Sequence, residues 1–218
     1  MLGKYLEKPV RYDLLNKWLS EPSARVLDIG CGNHSASRTK KYYPSCKYYG
    51  LDRDKNYKNS PEDFKAMEAF YEVDLNSNLK RLDIIPDEFF DCLILSHTIE
   101  HLKDGKDVLL SLLPKLKKGG IIYVETPSPW STRLPNLGIG LNFYSDPTHI
   151  KIYPLKNIED FLKKNELSII KSGVRRSVKR IVFLPVYILG SLFRLKRVDA
   201  GIFYDITGFA NYLIASKN

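Results

Sequence analysis

What this chain has little of narrows its class. Three cysteines, Cys31, Cys46 and Cys92, are scattered and form no C-x-x-C pair. Neither a disulfide framework nor a cysteine zinc site is suggested, and a reducing compartment is expected. No run reaches the roughly 20 apolar residues that span a bilayer. The opening Met-Leu-Gly-Lys-Tyr-Leu-Glu-Lys lacks the apolar stretch of a secretory signal. These absences predict a cytoplasmic protein. Repeats and low-complexity segments are also missing. With 218 residues, 44% of them hydrophobic, the expectation is one globular domain over residues 1–218.

Charge is abundant but uneven. Lys and Arg number 34 against 25 Asp and Glu, a net charge of +9. Basic residues gather late, at Lys171, Arg175, Arg176, Lys179, Arg180, Arg194, Lys196 and Arg197, with no acid until Asp199. They flank an apolar run, Ile181–Phe193, which Pro185 and Gly190 interrupt. That composition suits helices lying on an anionic membrane surface, with residues 172–197 as the contact and the inner membrane face as the location. The plainer alternative is a helical pair packed on the sheet with its charges solvated. Nucleic acid is the weaker partner, because aromatics and basic residues are not interleaved as stacking platforms.

Elsewhere strands and helices alternate. Arg11–Leu19 reads as an amphipathic helix. Strands are expected at Arg25–Ile29, Lys47–Leu51, Ala69–Val73, Phe90–Leu95, Ile121–Glu125, Leu167–Lys171 and Phe209–Ala215. Helices are expected at Lys106–Leu116, ended by Lys118-Gly119-Gly120, and at Leu155–Lys164. Repeated βα units imply a doubly wound, mostly parallel α/β sheet. Residues 126–149 form a long Pro-, Gly- and aromatic-rich connection, the form a lid or binding loop takes. Residues 172–206 form an insertion between the last two strands.

The most informative stretch is Val-Leu-Asp-Ile-Gly-Cys-Gly at Val26–Gly32, with Asp52 twenty residues beyond it. An aliphatic strand runs into a glycine turn, where a backbone can approach a ligand closely. An acid at the end of the next strand suits ribose hydroxyls. Ser35 stands where a third glycine would complete a dinucleotide fingerprint. Asp28 near the turn would repel a pyrophosphate and attract a cation. Asp28, Asp52 and Asp74 all fall near strand C-termini, which lie on one edge of a parallel sheet. They suit a cationic, nucleoside-bearing ligand.

These residues resemble motif I of the class I S-adenosylmethionine-dependent methyltransferases. Phe90–His97 followed by Glu100-His101, and Leu116–Val124, are similar to that family's fourth- and fifth-strand motifs. The resemblance covers roughly residues 20–172 plus the last strand. It implies a Rossmann-like seven-stranded sheet with the last strand antiparallel, and S-adenosyl-L-methionine as cofactor. Gly30, Cys31 and Gly32 would run beside the methionine part and Asp52 would hold the ribose. Asp74 and Leu75 would meet the adenine. Ser96 and His97 would face the methionine end.

Within residues 126–149, His149 of Asp146-Pro147-Thr148-His149 is a candidate general base, and His97 is a second candidate catalytic residue. Trp130, Phe143 and Tyr144 are candidates to line an acceptor pocket. Tyr5 and Tyr12 are candidates to cover the cofactor. The expected activity is methyl transfer to O or N of a small or amphiphilic acceptor, lipid- or saccharide-linked forms included. Asn/Asp-Pro-Pro-Tyr, a Pro-Cys nucleophile pair and a spaced glutamate pair are absent. That weighs against base N-methylation, base C5 methylation and arginine methylation. Cofactor binding without catalysis and RNA methylation remain as alternatives. His97-x-x-Glu100-His101 also matches an inverted zinc-peptidase motif, but no metal is assigned on this ground.

Overall fold

A computed structural model of the chain describes residues 8–136, 140–195 and 201–218. Tyr5, Lys196, Arg197 and Asp199 lie outside them. The strands are β1 (Arg25–Ile29), β2 (Lys47–Asp52), β3 (Ala69–Glu72), β4 (Phe90–Ser96), β5 (Leu116–Pro127), β6 (Leu167–Val174) and β7 (Ala210–Lys217). They form one sheet in the order β3-β2-β1-β4-β5-β7-β6. β1 to β5 pair in parallel, and β7 runs antiparallel between β5 and β6. The order reverses between β1 and β4. A doubly wound sheet opens a crevice at such a point, beyond the strand C-termini.

Side-chain alternation along the strands divides the core between two faces. Leu27, Ile29, Leu93, Leu95 and Val124 pack on one, covered by α5 (Gly105–Leu112) and α6 (Leu155–Lys164). Val26, Tyr48, Cys92, Ile94 and Tyr123 pack on the other. That face is covered by α1 (Val10–Leu14), α2 (Asn16–Leu19) and α3 (Ser35–Tyr42). The helix expected at Arg11–Leu19 is therefore broken at Leu15. Short α4 (Pro61–Lys65) starts from a capping box, in which Ser60 and Asp63 satisfy each other's backbone N–H groups.

Two expectations are corrected. Lys118-Gly119-Gly120 does not end a helix. The helix stops at Leu112, a turn through Pro114 follows, and β5 already begins at Leu116. The glycines lie where the β4–β5 register jumps, from Phe90↔Leu116 to Cys92↔Ile121. Gly119 there takes a φ of +73° with open space around its Cα. The second correction concerns the solvated charges expected for the packed form of the insertion after β6. The insertion holds α7 (Val178–Val182), α8 (Leu184–Leu195) and α9 (Gly201–Thr207), and part of its charge turns inward. Arg175 pairs with buried Glu125 and Asp205, and Arg180 pairs with Asp205. Among the described residues no helix is long and apolar enough to cross a membrane.

Candidate active site

A cavity of about 1530 Å³ opens at the topological switch point. Its floor is the turn after β1. Gly30 takes a φ of +78°, and a Cβ there would strike the Thr98 hydroxyl, which itself donates to Ile29 O at 2.7 Å. The amides of Gly30 and Cys31 both donate to Leu51 O, so the turn is stapled to the end of β2. A Cβ on Gly32 would come within 2.6 Å of the Tyr57 ring. Both glycines are therefore required by the turn itself.

Asp52 ends β2 beside this turn. Its Oδ2 accepts from Gly32 N at 3.1 Å and its Oδ1 from Asp54 N at 3.3 Å. A carboxylate has about four acceptor positions, so the side chain keeps capacity toward the cavity it lines. Asp74, past β3, caps its own turn by accepting from Asn76 N and the Ser77 hydroxyl. The Asn76 amide, mainly, holds its pKa below the ordinary value. Leu75 packs beside it on the wall. The Asn76 side chain ties this turn to the next by donating to His101 O and accepting from Lys103 N.

The structure brings Gly30, Gly32, Asp52, Asp74, Leu75, Ser96, His97 and His149 onto this one cavity, but not the side chains of Asp28 and Cys31. Asp28 shares the strand face of Val26, so it points under α3. There its Oδ2 accepts from Ser35 Oγ at 2.6 Å and Tyr48 Oη at 2.7 Å. Burial raises its pKa, against the pull of Arg11 and the two hydroxyls. Asp28 anchors the turn from below rather than facing a ligand. The Cys31 side chain is buried, and burial pushes its thiol pKa up; it adds only backbone to the turn.

At the far end, His97 leaves β4 with a φ of +55°. Its Nδ1 lies 3.1 Å from Glu100 and its Nε2 3.0 Å from Glu125. Burial alone would lower its pKa, but the two carboxylates push it up to about 9. The charged form of the ring is therefore favoured, which suits His97 to a fixed cation better than to a general base. The zinc-peptidase geometry is absent too. Ile99–His101 is a single 3-10 turn, so the two histidines share no helix face.

Glu125 continues this network. It accepts from Tyr123, Ser96 and Arg175. Burial would raise its pKa, but Arg175 and His97 outweigh burial and hold it well below the ordinary carboxylate value. Tyr204 and Phe209 stack at 4.2 Å beside His97. Arg11, Glu125, Arg175, Tyr204 and Phe209 all line the cavity, and the sequence reading passed over them as site residues. Glu125 carried a signal, as a lone charge in the apolar strand Ile-Ile-Tyr-Val-Glu. Arg175 was hidden in the basic run.

Of the aromatics expected around an acceptor, Trp130 and Tyr144 are exposed and Phe143 is buried beneath the His149 ring, 4.6 Å away. None of the three lines the cavity. Tyr12 is buried in the core, hydrogen-bonded to Thr39, and covers nothing.

Comparison with known proteins agrees with this arrangement. Residues 4–172 match the family model of a methyltransferase domain, and the chain belongs to the class I S-adenosylmethionine-dependent methyltransferases. S-adenosyl-L-methionine is the cofactor. A mitochondrial ubiquinone biosynthesis O-methyltransferase of Candida albicans is 27% identical over 180 residues, covering 78% of this chain and 54% of that protein. The chain spans about half or less of the length of the curated relatives it matches. Among solved structures, an S-adenosylmethionine-dependent methyltransferase from Mesorhizobium loti superposes with a TM-score of 0.67 at 16% identity, covering 97% of this chain and 100% of that one. One from Archaeoglobus fulgidus gives 0.64 at 21% identity, covering 95% and 92%. At these identities the structures speak to the fold, including the antiparallel β7.

Proposed function

We propose that this protein transfers a methyl group from S-adenosylmethionine to an oxygen of an amphiphilic acceptor drawn from a membrane surface. The observation that carries the acceptor class is the position of α7–α9. Val186, Tyr204 and Phe209 line the acceptor end of the cavity, while Val182, Leu189, Leu192 and Phe193 on the same helices face solvent. Apolar side chains exposed on these helices suit a lipid surface, and in the sequence their run is flanked by Lys179, Arg194, Lys196 and Arg197. The choice of oxygen is supported by the name of the Candida relative.

In this reading Asp52 accepts hydrogen bonds from the ribose diol, and Leu75 and Asp74 receive the adenine. The turn of Gly30, Cys31 and Gly32 makes room for the methionine part, with Arg11 as the cation for its carboxylate. The bound cofactor supplies an electrophilic methyl carbon on a sulfonium. The acceptor oxygen forms a bond to that carbon as the carbon–sulfur bond breaks. The bond pair stays on sulfur, which ends neutral, and the hydroxyl proton must leave. His97 is poorly suited to take it. His101 and His149 lie on the same wall, and each has its Nδ1 engaged on a backbone carbonyl, which leaves Nε2 as the atom that would take it. Most of the acceleration comes from holding the two partners in line.

The test pairs radiolabel transfer from S-[methyl-³H]adenosylmethionine to a total lipid extract with flotation on vesicles carrying 30% anionic lipid. Label in the organic phase and flotation lost in L189E/F193E support the reading. Label confined to water-soluble acceptors, or equal flotation of both proteins, overturns the membrane part.

A further inference from the structure

We propose that Glu100, His101 and His149 hold a divalent transition-metal ion at the acceptor end of the cavity. The inference rests on the methyl-transfer reading only for what the ion does, not for whether it binds. One ligand atom from each residue comes together, all within 4.8 Å of one another. Three further observations separate this cluster from a chance meeting of polar groups.

First, both histidines are set in the tautomer a ligand needs. His149 Nδ1 lies 2.6 Å from the carbonyl of Phe143 and must donate to it. His101 Nδ1 lies 3.1 Å from the carbonyl of Thr148 and 2.9 Å from its hydroxyl. That hydroxyl already donates its hydrogen to Asp146 Oδ1 at 2.6 Å, so His101 Nδ1 donates as well. Each ring then has its Nε2 left over for a ligand, and the ring centres are 4.8 Å apart. A metal-binding histidine typically donates its second N–H to a backbone carbonyl in this way, which fixes its tautomer and orientation.

Second, the carboxylate is oriented. Glu100 is fully buried, held by His97 Nδ1 on one oxygen and the Thr126 hydroxyl on the other. His97 is fixed in turn by Glu125, 3.0 Å from its Nε2. Asp146 adds a second carboxylate, 3.9 Å from His149 Nε2.

Third, the elements that carry the cluster are anchored to each other. The amides of Ile150 and Lys151 both donate to Glu100 O, and Phe143 packs under the His149 ring. The loop is thereby pinned against the β4 exit. Metal–nitrogen and metal–oxygen bonds of about 2.1 Å let two ligand atoms sit at most about 4.2 Å apart, so loading draws the three inward by about half an ångström or more. Two imidazoles and one carboxylate with open positions suit ions such as Mn²⁺, Fe²⁺, Co²⁺ or Zn²⁺ rather than Ca²⁺. An ion here would supply Lewis acidity, lowering the pKa of an acceptor hydroxyl bound next to the methyl donor. His149 would then be a ligand rather than the base.

The test titrates Co²⁺, and separately Zn²⁺, into full-length protein freed of metal by chelator and desalted. One equivalent of Co²⁺ giving visible d–d bands, displaced by Zn²⁺, is expected. In H101A and H149A binding falls at least 100-fold, with S-adenosylhomocysteine affinity within threefold as proof of fold. E100Q keeps the shape of the side chain and loses at least tenfold. No bands at 100 µM Co²⁺, or equal binding by the variants, overturns the site. Metal binding without methyl transfer to any acceptor would leave the site standing and sink the catalytic reading. Transfer unaffected by chelator would do the reverse for the ion's role.

Discussion

Arg175 Nη1 donates to Glu125 Oε1 at 2.6 Å, joining the start of the insertion to the C-terminal end of β5. Both side chains are largely shielded from water. Breaking one partner of such a buried pair costs about 3–5 kcal/mol, because the other charge is left uncompensated, whereas replacing both costs much less. We therefore expect R175M to lower the urea midpoint sharply, and E125Q/R175M to be more stable than the sum of the single changes implies. Additive losses would show that Asp205, not Glu125, is the partner that matters to Arg175.

The fold was legible in the sequence wherever burial leaves a periodic mark. β1, β2 and β4 are near-continuous apolar runs because helices cover both faces of the sheet, and their bounds hold to within a residue. β5 was read two residues short at its end and five short at its start, the latter because Lys117–Gly120 passes through a register jump, where neither alternation nor burial persists. The turn after β1 and Asp52 were legible from spacing alone. Asp28 was not. Its position in the motif says nothing about which face of the strand it takes, and alternation puts it with Val26, under α3. The acceptor end was the least legible, since Glu125, Arg175 and Asp205 meet only through the antiparallel β7 and the helices before it.

Asp52 should matter to ligand binding and little to stability, since it lines the cavity and stands at a strand end. Losing the carboxyl acceptor of a ligand hydrogen bond removes about 1.5–3 kcal/mol, which is roughly ten- to hundredfold in affinity. Calorimetry with S-adenosylhomocysteine should show that drop in D52A, with a melting temperature close to that of the wild type. Unchanged affinity would remove Asp52 from the cofactor site.

Asp63 links stability to pH. It accepts from the Ser60 amide and hydroxyl, the Ser37 amide and His34 Nδ1. Burial works to raise its pKa, but these bonds prevail and hold it well below its ordinary 3.8. A carboxyl depressed on folding adds stability that is present above its unfolded pKa and is lost as pH falls through the folded one. The stability gap between wild type and D63N should therefore be full at pH 6 and shrink as pH falls below about 4. Urea unfolding at pH 6, 4 and 3 measures it. A gap that widens toward acid would mean that the neutral side chain, not the anion, is what the fold uses.

Tyr48 tests the placement of Asp28 under the turn. Its hydroxyl donates to Asp28 Oδ2 at 2.7 Å inside the α1–α3 face of the core. Y48F keeps the ring and removes one donor to a buried carboxyl oxygen, and an acceptor left short of a partner in the core costs about 1–3 kcal/mol. Ser35 still donates to the same oxygen, so the loss should fall at the low end of that range. Because the bond lies on the opposite side of the turn from the cavity, affinity for S-adenosylhomocysteine should stay within twofold. A tenfold loss of affinity with the fold intact would move Asp28 back among the residues that touch the cofactor.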